Sequence, residues 1–257
     1  MSLASNRIGV IPLMSPLINR GDNVVDVIMS LLKKERLVLR DCDIVAIADK
    51  VLAVSEGRIV DLGVKLSNEA ARLSKKYGLE PGFVQVVLDE SDKIYGGVFR
   101  AILTVKNGIL IANAGVDHKN APEGKAALWP NDPDLLANEI RKKLEKKTGK
   151  KVGVIIVDSR VNPMRRGTVG IAIGSAGIDP VVDCRGSKDL FGKSLKITFI
   201  NVIDDLASMA HLAMGETTER IPFVLIRNAQ VRMCDNVTSD SAKISEKDCL
   251  IIRGLQG

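Results

Sequence analysis

The sequence predicts a chain in which helices and strands occur together, with an antiparallel hairpin among the strands. Three observations carry this. Short β-branched apolar runs such as Val152–Val157 and Asp43–Ala48 have strand length and suit burial on both faces. Apolar residues at Val24, Val25, Ile28, Leu31 and Leu32 recur at helical spacing. Asn107-Gly108 separates two apolar runs, Arg100 to Asn107 and Gly108 to Asp117, which is the signature of a tight antiparallel hairpin.

In chain order, the loop Ser15 to Asp22 hands over to the first helix, with Asp22 as its expected cap and Lys33-Lys34 at the negative end of its dipole. The strand Asp43–Ala48 is followed by Asp49-Lys50 and a second apolar segment, Val51–Val54. Ser67 caps a helix that stops at Gly78, and Pro81 stands near the start of FVQVVLDES. Asp132-Pro133 opens a long basic helix that Gly149 ends. Later come a strand over Leu195–Val202, a helix over Asp204–Met214, and a last clear strand over Ile221–Arg227.

The 257 residues are 46% hydrophobic and 26% charged, which fits a globular protein rather than a disordered one. Aromatic residues make up 3%, so the core must come from aliphatic side chains. The net charge of +6 is concentrated in Arg141–Lys151, a solvated helix face. With so few rings for base stacking, nucleic-acid binding is not expected. The apolar runs fall far short of the roughly 20 residues that span a bilayer, and the opening has no signal-peptide pattern. No membrane association and a cytoplasmic location are therefore expected. Cys42, Cys184, Cys234 and Cys249 are widely scattered, which fits reduced buried thiols better than disulfides or a zinc cluster.

The stretch Lys151 to Gly177 reads as a buried strand delivering Asp158 into a glycine-rich turn region, with Arg160, Arg165 and Arg166 nearby. A buried carboxylate requires a cation or donors. Gly167, Gly170, Gly174 and Gly177 either let backbone approach a bulky anion or serve close packing. Asp117 closes a second strand-like run, so Asp117 and Asp158 are candidates to converge on one hard ion, Mg²⁺ or Mn²⁺. Glu216, just past the helix-ending Gly215, is a better ligand candidate than His211, which reads as a packed or surface helical residue.

Together the motifs resemble the coenzyme F420-0:L-glutamate ligase family, also called F420-0:γ-glutamyl ligase, from roughly Ile11 to Arg227. The matching phrases are Gly21-Asp22, Ser55–Arg58, Phe83–Ser91, Asn113–Asp117, Asp158–Gly177, Arg185–Leu195 and Met214–Pro222. The resemblance implies one unit over residues 1–257, possibly two intertwined subdomains, of an unusual α+β fold with mixed or antiparallel sheets and flanking helices that assembles as an intertwined homodimer. It also implies a GTP-dependent ligase joining the amino group of L-glutamate to a carboxylate of F420-0, with Mn²⁺ or Mg²⁺ and K⁺. Carried over by position, the metal ligands are Asp117, Asp158, Ser159 and Glu216. The nucleotide contacts are Ser15, Pro16, Leu17, Ile18, Asp49, Lys50, Asn120 and the Gly215-Glu216 turn. Arg165 and Arg166 are candidates to stabilise the transferred phosphoryl group or orient a substrate carboxylate, and either alone could instead form a strand-turn ion pair.

Three departures accompany the resemblance. Ala53-Val54 stands where the family has Ser-Lys, His118-Lys119 replaces Ala-Ser, and Val161-Asn162 replaces Gly-Arg. Lys119 or Arg160 is expected to supply the missing charge. The substitutions leave open two alternatives, a γ-glutamyl ligase for another acidic acceptor such as a folate-type pterin, and a non-catalytic nucleotide- or cofactor-binding relative.

Overall fold

The computed structural model describes residues 7–119 and 121–256. Its first half holds β1 (Gly9–Leu13), α1 (Val24–Lys34), β2 (Ile44–Ala48), α2 (Asp49–Ser55), β3 (Ile59–Asp61), α3 (Asn68–Tyr77), α4 (Pro81–Glu90), β4 (Lys93–Val98), β5 (Ala101–Lys106), β6 (Ile109–Ala112) and β7 (Lys125–Ala127). There follow α5 (Pro133–Thr148), β8 (Gly153–Val161), β9 (Thr168–Ile178), β10 (Val181–Asp183), β11 (Phe199–Asn201), α6 (Val202–Met214), β12 (Phe223–Arg227), β13 (Met233–Cys234) and α7 (Leu250–Gln256). The α+β class is as expected.

The main sheet runs β1-β12-β2-β8-β9-β13. Only β2 and β8 are parallel; every other pair is antiparallel. Strand alternation divides its side chains between two cores. Val45, Ile47, Val154 and Ile156 pack with α1 and α5, while Ile44, Ala46, Ile155 and Val157 pack with α6. A third core gathers α3 and α4 around Ile102, Val116 and Leu128, under the β4-β5-β6 meander.

Pairing register determines where a site can form. Ala48 lies beside Val157 in the parallel pair, so the residues following β2 emerge next to Asp158. Leu13 pairs with Phe223 and Phe223 with Ile47, which brings the loop after β1 and the loop before β12 to the same end. Four segments thus meet at the carboxyl ends of the two parallel strands, the position where open sheets with parallel strands bind ligands.

Several local expectations change. Asn23, not Asp22, caps α1, accepting from the amides of Val25 and Asp26, while the Asp22 carboxylate turns back to the Asn19 amide at 2.7 Å. Two segments given no element type from sequence take one here: Val51–Val54 is helical, part of α2, and FVQVVLDES forms most of α4, with Pro81 in its first turn. The strand expected over Leu195–Val202 shrinks to β11, because Asn201 caps α6 and draws Val202 and Ile203 into the helix. No cysteine is buried: Cys42 is exposed and the other three are half-buried, all as free thiols. The Asn107-Gly108 hairpin is present, with φ of 50° and 73° at its two turn residues.

The glycine-rich stretch is mainly strand β9 rather than a turn region. A Cβ on Gly170 would overlap the Ala207 carbonyl of α6, and one on Gly174 would overlap Pro133 at the start of α5. These two glycines let helices lie against both faces of the strand, and close packing accounts for them.

Candidate functional site

The four converging segments enclose a cavity of about 410 Å³. Pro16, Leu17 and Ile18 come from the loop after β1, Asp49 and Lys50 from the start of α2, Asp158 and Ser159 from β8, and Gly215 and Glu216 from the end of α6. Nine of the residues assigned by position therefore share one wall-to-wall space. Ser15 is buried just outside it, its Oγ donating to the Pro16 carbonyl at 2.8 Å. Asn120 lies outside the described residues. Arg165 and Arg166 sit exposed in the β8–β9 connection, away from the cavity lining and with no ion pair among the described residues.

At the centre of the acidic wall, the Lys50 ammonium lies 3.2 Å from Asp158 and 3.4 Å from both Asp49 and Asp117. Asp117 does not itself line the cavity; it joins the cluster through Lys50. Asp158 is buried and fully engaged: Oδ1 accepts from Lys50 and from the Ser159 amide, and Oδ2 accepts from the Trp129 indole N–H at 2.7 Å. Three carboxylates face one ammonium. Burial, together with the neighbouring charge of Asp158, raises the Asp49 carboxyl to about 7 despite Lys50. Burial acts against the Lys50 charge, yet the three carboxylates outweigh it and raise this ammonium well above its ordinary value.

A second group in the lining is organised around Glu216. Its Oε1 meets His211 Nε2 at 2.8 Å and the Thr168 hydroxyl at 2.9 Å, and its Oε2 pairs with Lys119 at 3.1 Å. Burial would raise this carboxyl, but the hydrogen bonds from His211, Thr168 and Lys119 prevail and hold it at about 2. Lys119 also donates its backbone N–H to Asp117 at 2.8 Å, so one residue ties the two groups together. Of the two cations considered as replacements for the one absent at Val54, Lys119 lines the cavity and Arg160 does not.

His211 is thus a correction, since it lines the cavity rather than serving packing alone. A helical last-turn histidine five residues before a glutamate, with a glycine cap between, was its only signal. Thr168 and Trp129 escaped sequence reasoning because their partners lie 48 and 29 positions away.

The proposed ligand set fits a hard divalent cation by donor chemistry. Asp117, Asp158, Ser159 and Glu216 offer oxygen only, and the acidic wall carries more negative charge than Lys50 neutralises. Among the described residues no three acidic, histidine or cysteine side chains are grouped to chelate an ion as they stand. Chelation by Asp117 and Asp158 together would require the Lys50 ammonium to yield its place.

A cavity lined by paired cations and carboxylates suits charged, phosphate- or carboxylate-bearing molecules. Comparison with known proteins gives it a family. Residues 12–228 match the F420-0:Gamma-glutamyl ligase family. The chain is 45% identical over 212 residues to the Coenzyme F420:L-glutamate ligase of Methanococcus maripaludis (strain C7), covering 82% of this chain and 85% of that protein. It is equally 45% identical to the protein of that name in Methanocaldococcus jannaschii, with the same coverage. The likeness to the one in Archaeoglobus fulgidus is 37% over 217 residues, covering 84% and 85%. This chain is an acid–amino-acid ligase, and it belongs to the F420-0:γ-glutamyl ligase family.

Proposed function

We propose that this enzyme forms an amide bond between the amino group of L-glutamate and a carboxylate of coenzyme F420-0, using GTP and a divalent metal, Mn²⁺ or Mg²⁺, with K⁺ as a further ion. The observation that carries the reading is the cluster of Asp49, Asp117 and Asp158 around Lys50, linked through Lys119 to Glu216 in the lining of the same cavity. Relatives named Coenzyme F420:L-glutamate ligase supply the substrate class.

A carboxylate does not react with an amine until it is activated. The γ-phosphoryl group passes from GTP to the acceptor carboxylate, giving GDP and an acyl phosphate. The glutamate amine, having lost a proton, attacks the acyl carbon and releases phosphate. Asp117, Asp158, Ser159 and Glu216 would hold the metal, which would supply charge neutralisation at the phosphate oxygens. The chain's own residues do the rest. Lys50 and Lys119 present ammonium groups to phosphate or carboxylate oxygens from the cavity lining. The Ser15–Ile18 loop, Asp49 and Gly215 frame the nucleotide, with Asn120 in the same role. Arg165 and Arg166 serve the transferred phosphoryl group if their loop closes on it.

Assembly as an intertwined homodimer, with K⁺ dependence, belongs to the same proposal. The homodimer is supported by the segment between β10 and α6, where Leu190, Phe191 and Ile197 are 100%, 89% and 86% exposed. Light scattering of the purified protein should give twice the 27.8 kDa chain mass.

Purified enzyme with GTP, Mn²⁺, K⁺, L-glutamate and F420-0 should yield GDP, phosphate and a glutamylated product in equal amounts. No product with F420-0, but turnover with a folate-type pterin, would replace the acceptor; absence of both would overturn the reading.

A further inference from the structure

Trp129 is the only tryptophan of the chain, and it is fully buried. Its indole N–H donates to Asp158 Oδ2 at 2.7 Å, leaving Oδ1 to face Lys50 and the cavity. An indole in an aliphatic core has one polar group to satisfy, and here that group is spent on the carboxylate most central to the site.

The surroundings hold this ring in place from several directions. Arg58 Nε donates to the Trp129 carbonyl at 3.1 Å, and its guanidinium reaches Glu90 at 3.3 Å. Glu90 also pairs with the buried Lys106, whose ammonium stands 5.6 Å from the centre of the Trp129 ring. On its polar edge the indole occupies the space of a missing side chain: Gly115 has φ of 70°, and a Cβ there would overlap Nε1 and Cε2 of the ring. A left-handed glycine two residues before Asp117 thus opens the path by which the indole reaches Asp158.

We infer that Trp129 is a positioning residue for the metal-binding carboxylate: it fixes the rotation of the Asp158 carboxyl group so that one oxygen is directed into the cavity. The inference rests on the metal reading above. Outer hydrogen bonds of this kind orient ligating carboxylates, and their loss typically lowers metal affinity about tenfold to a hundredfold.

A single tryptophan makes the arrangement directly observable. In ¹⁵N-labelled protein the indole N–H gives one resonance. It should move saturably on addition of Mg²⁺, with the dissociation constant that calorimetry gives, and Asp158→Asn should shift it without metal. Trp129→Phe should fold with a lowered melting temperature, the cost of a smaller core side chain and an unpaired Asp158 oxygen, while weakening Mn²⁺ binding about tenfold or more, read by calorimetry with no substrate present at a temperature where the variant is folded. Gly115→Ala, which pushes on the indole edge, should weaken it in the same direction.

A wild-type protein that binds no Mn²⁺ removes the metal reading and this inference with it. Wild type that binds, beside folded Trp129→Phe that binds within twofold of it, removes the inference alone. Should Trp129→Phe fail to fold, an indole resonance that stays still while wild type saturates with Mg²⁺ overturns it equally.

Discussion

Replacing Lys50 by methionine removes one charge and little volume, and it tests the electrostatics of the acidic wall. The ammonium stands within 3.4 Å of three carboxylates, and the side chains of Asp49 and Asp158 are only 5% and 6% exposed. Breaking a buried ion pair by removing one partner costs about 3–5 kcal/mol. Lys50 itself is 22% exposed, so the lower end, about 3 kcal/mol at pH 8, is expected. For a chain of this size that lowers the melting temperature by roughly 6–12 °C. The loss should shrink on acidification. Asp49 already titrates at about 7 in the fold against 3.8 when free, so the folded state takes up a proton as pH falls through 7, and the unfolded state does so only near 4. Without Lys50 this uptake moves to higher pH, relieving the repulsion earlier. Thermal unfolding of both proteins at pH 8 and pH 6 measures it. Equal melting temperatures at pH 8, or a deficit that grows at pH 6, would refute the reasoning.

Further outcomes follow from the same geometry. Because Asp49 protonates near 7 beside the proposed ligands Asp117 and Asp158, Mn²⁺ affinity should be flat above pH 8 and weaken below 7, by less than tenfold per unit since Asp49 acts through space; calorimetry showing constant affinity from pH 5 to 8 would contradict the charge surplus of the wall. Glu216, held at about 2 against an ordinary 4.5, adds stability that is complete above pH 4.5 and lost only as pH falls toward 2; His211→Ala should weaken this, visible as a higher acid-unfolding midpoint. Gly170→Ala forces a methyl group against the Ala207 carbonyl and should cost about 1–3 kcal/mol in denaturant unfolding. Arg165→Ala and Arg166→Ala, both exposed, should each change stability by less than about 0.5 kcal/mol, so any fall in turnover they cause reports on chemistry.

Much of this protein could be read from its residues in order. Period-2 and helical apolar patterns, Ser67, Pro81, Gly78 and Gly149 at helix ends, and Asn107-Gly108 all express local backbone chemistry that neighbours in sequence decide. Asp49, Lys50, Asp158, Ser159 and Glu216 could be named as site candidates for the same reason: motifs carry them. What sequence order could not decide was which residues meet. The Lys50 ammonium among three carboxylates depends on β2 lying parallel to β8, a pairing between positions 109 apart at Ala48 and Val157. The cavity roles of His211, Lys119, Thr168 and Trp129 depend on pairs formed across 5, 97, 48 and 29 positions. The glycines of β9 suit either an anion or close packing by sequence alone, and the two helices packed on Gly170 and Gly174 decide for packing at those positions. Propensity and spacing act within a few residues, whereas charge compensation and close packing act through space, so only the tertiary structure could say what each carboxylate and each glycine is for.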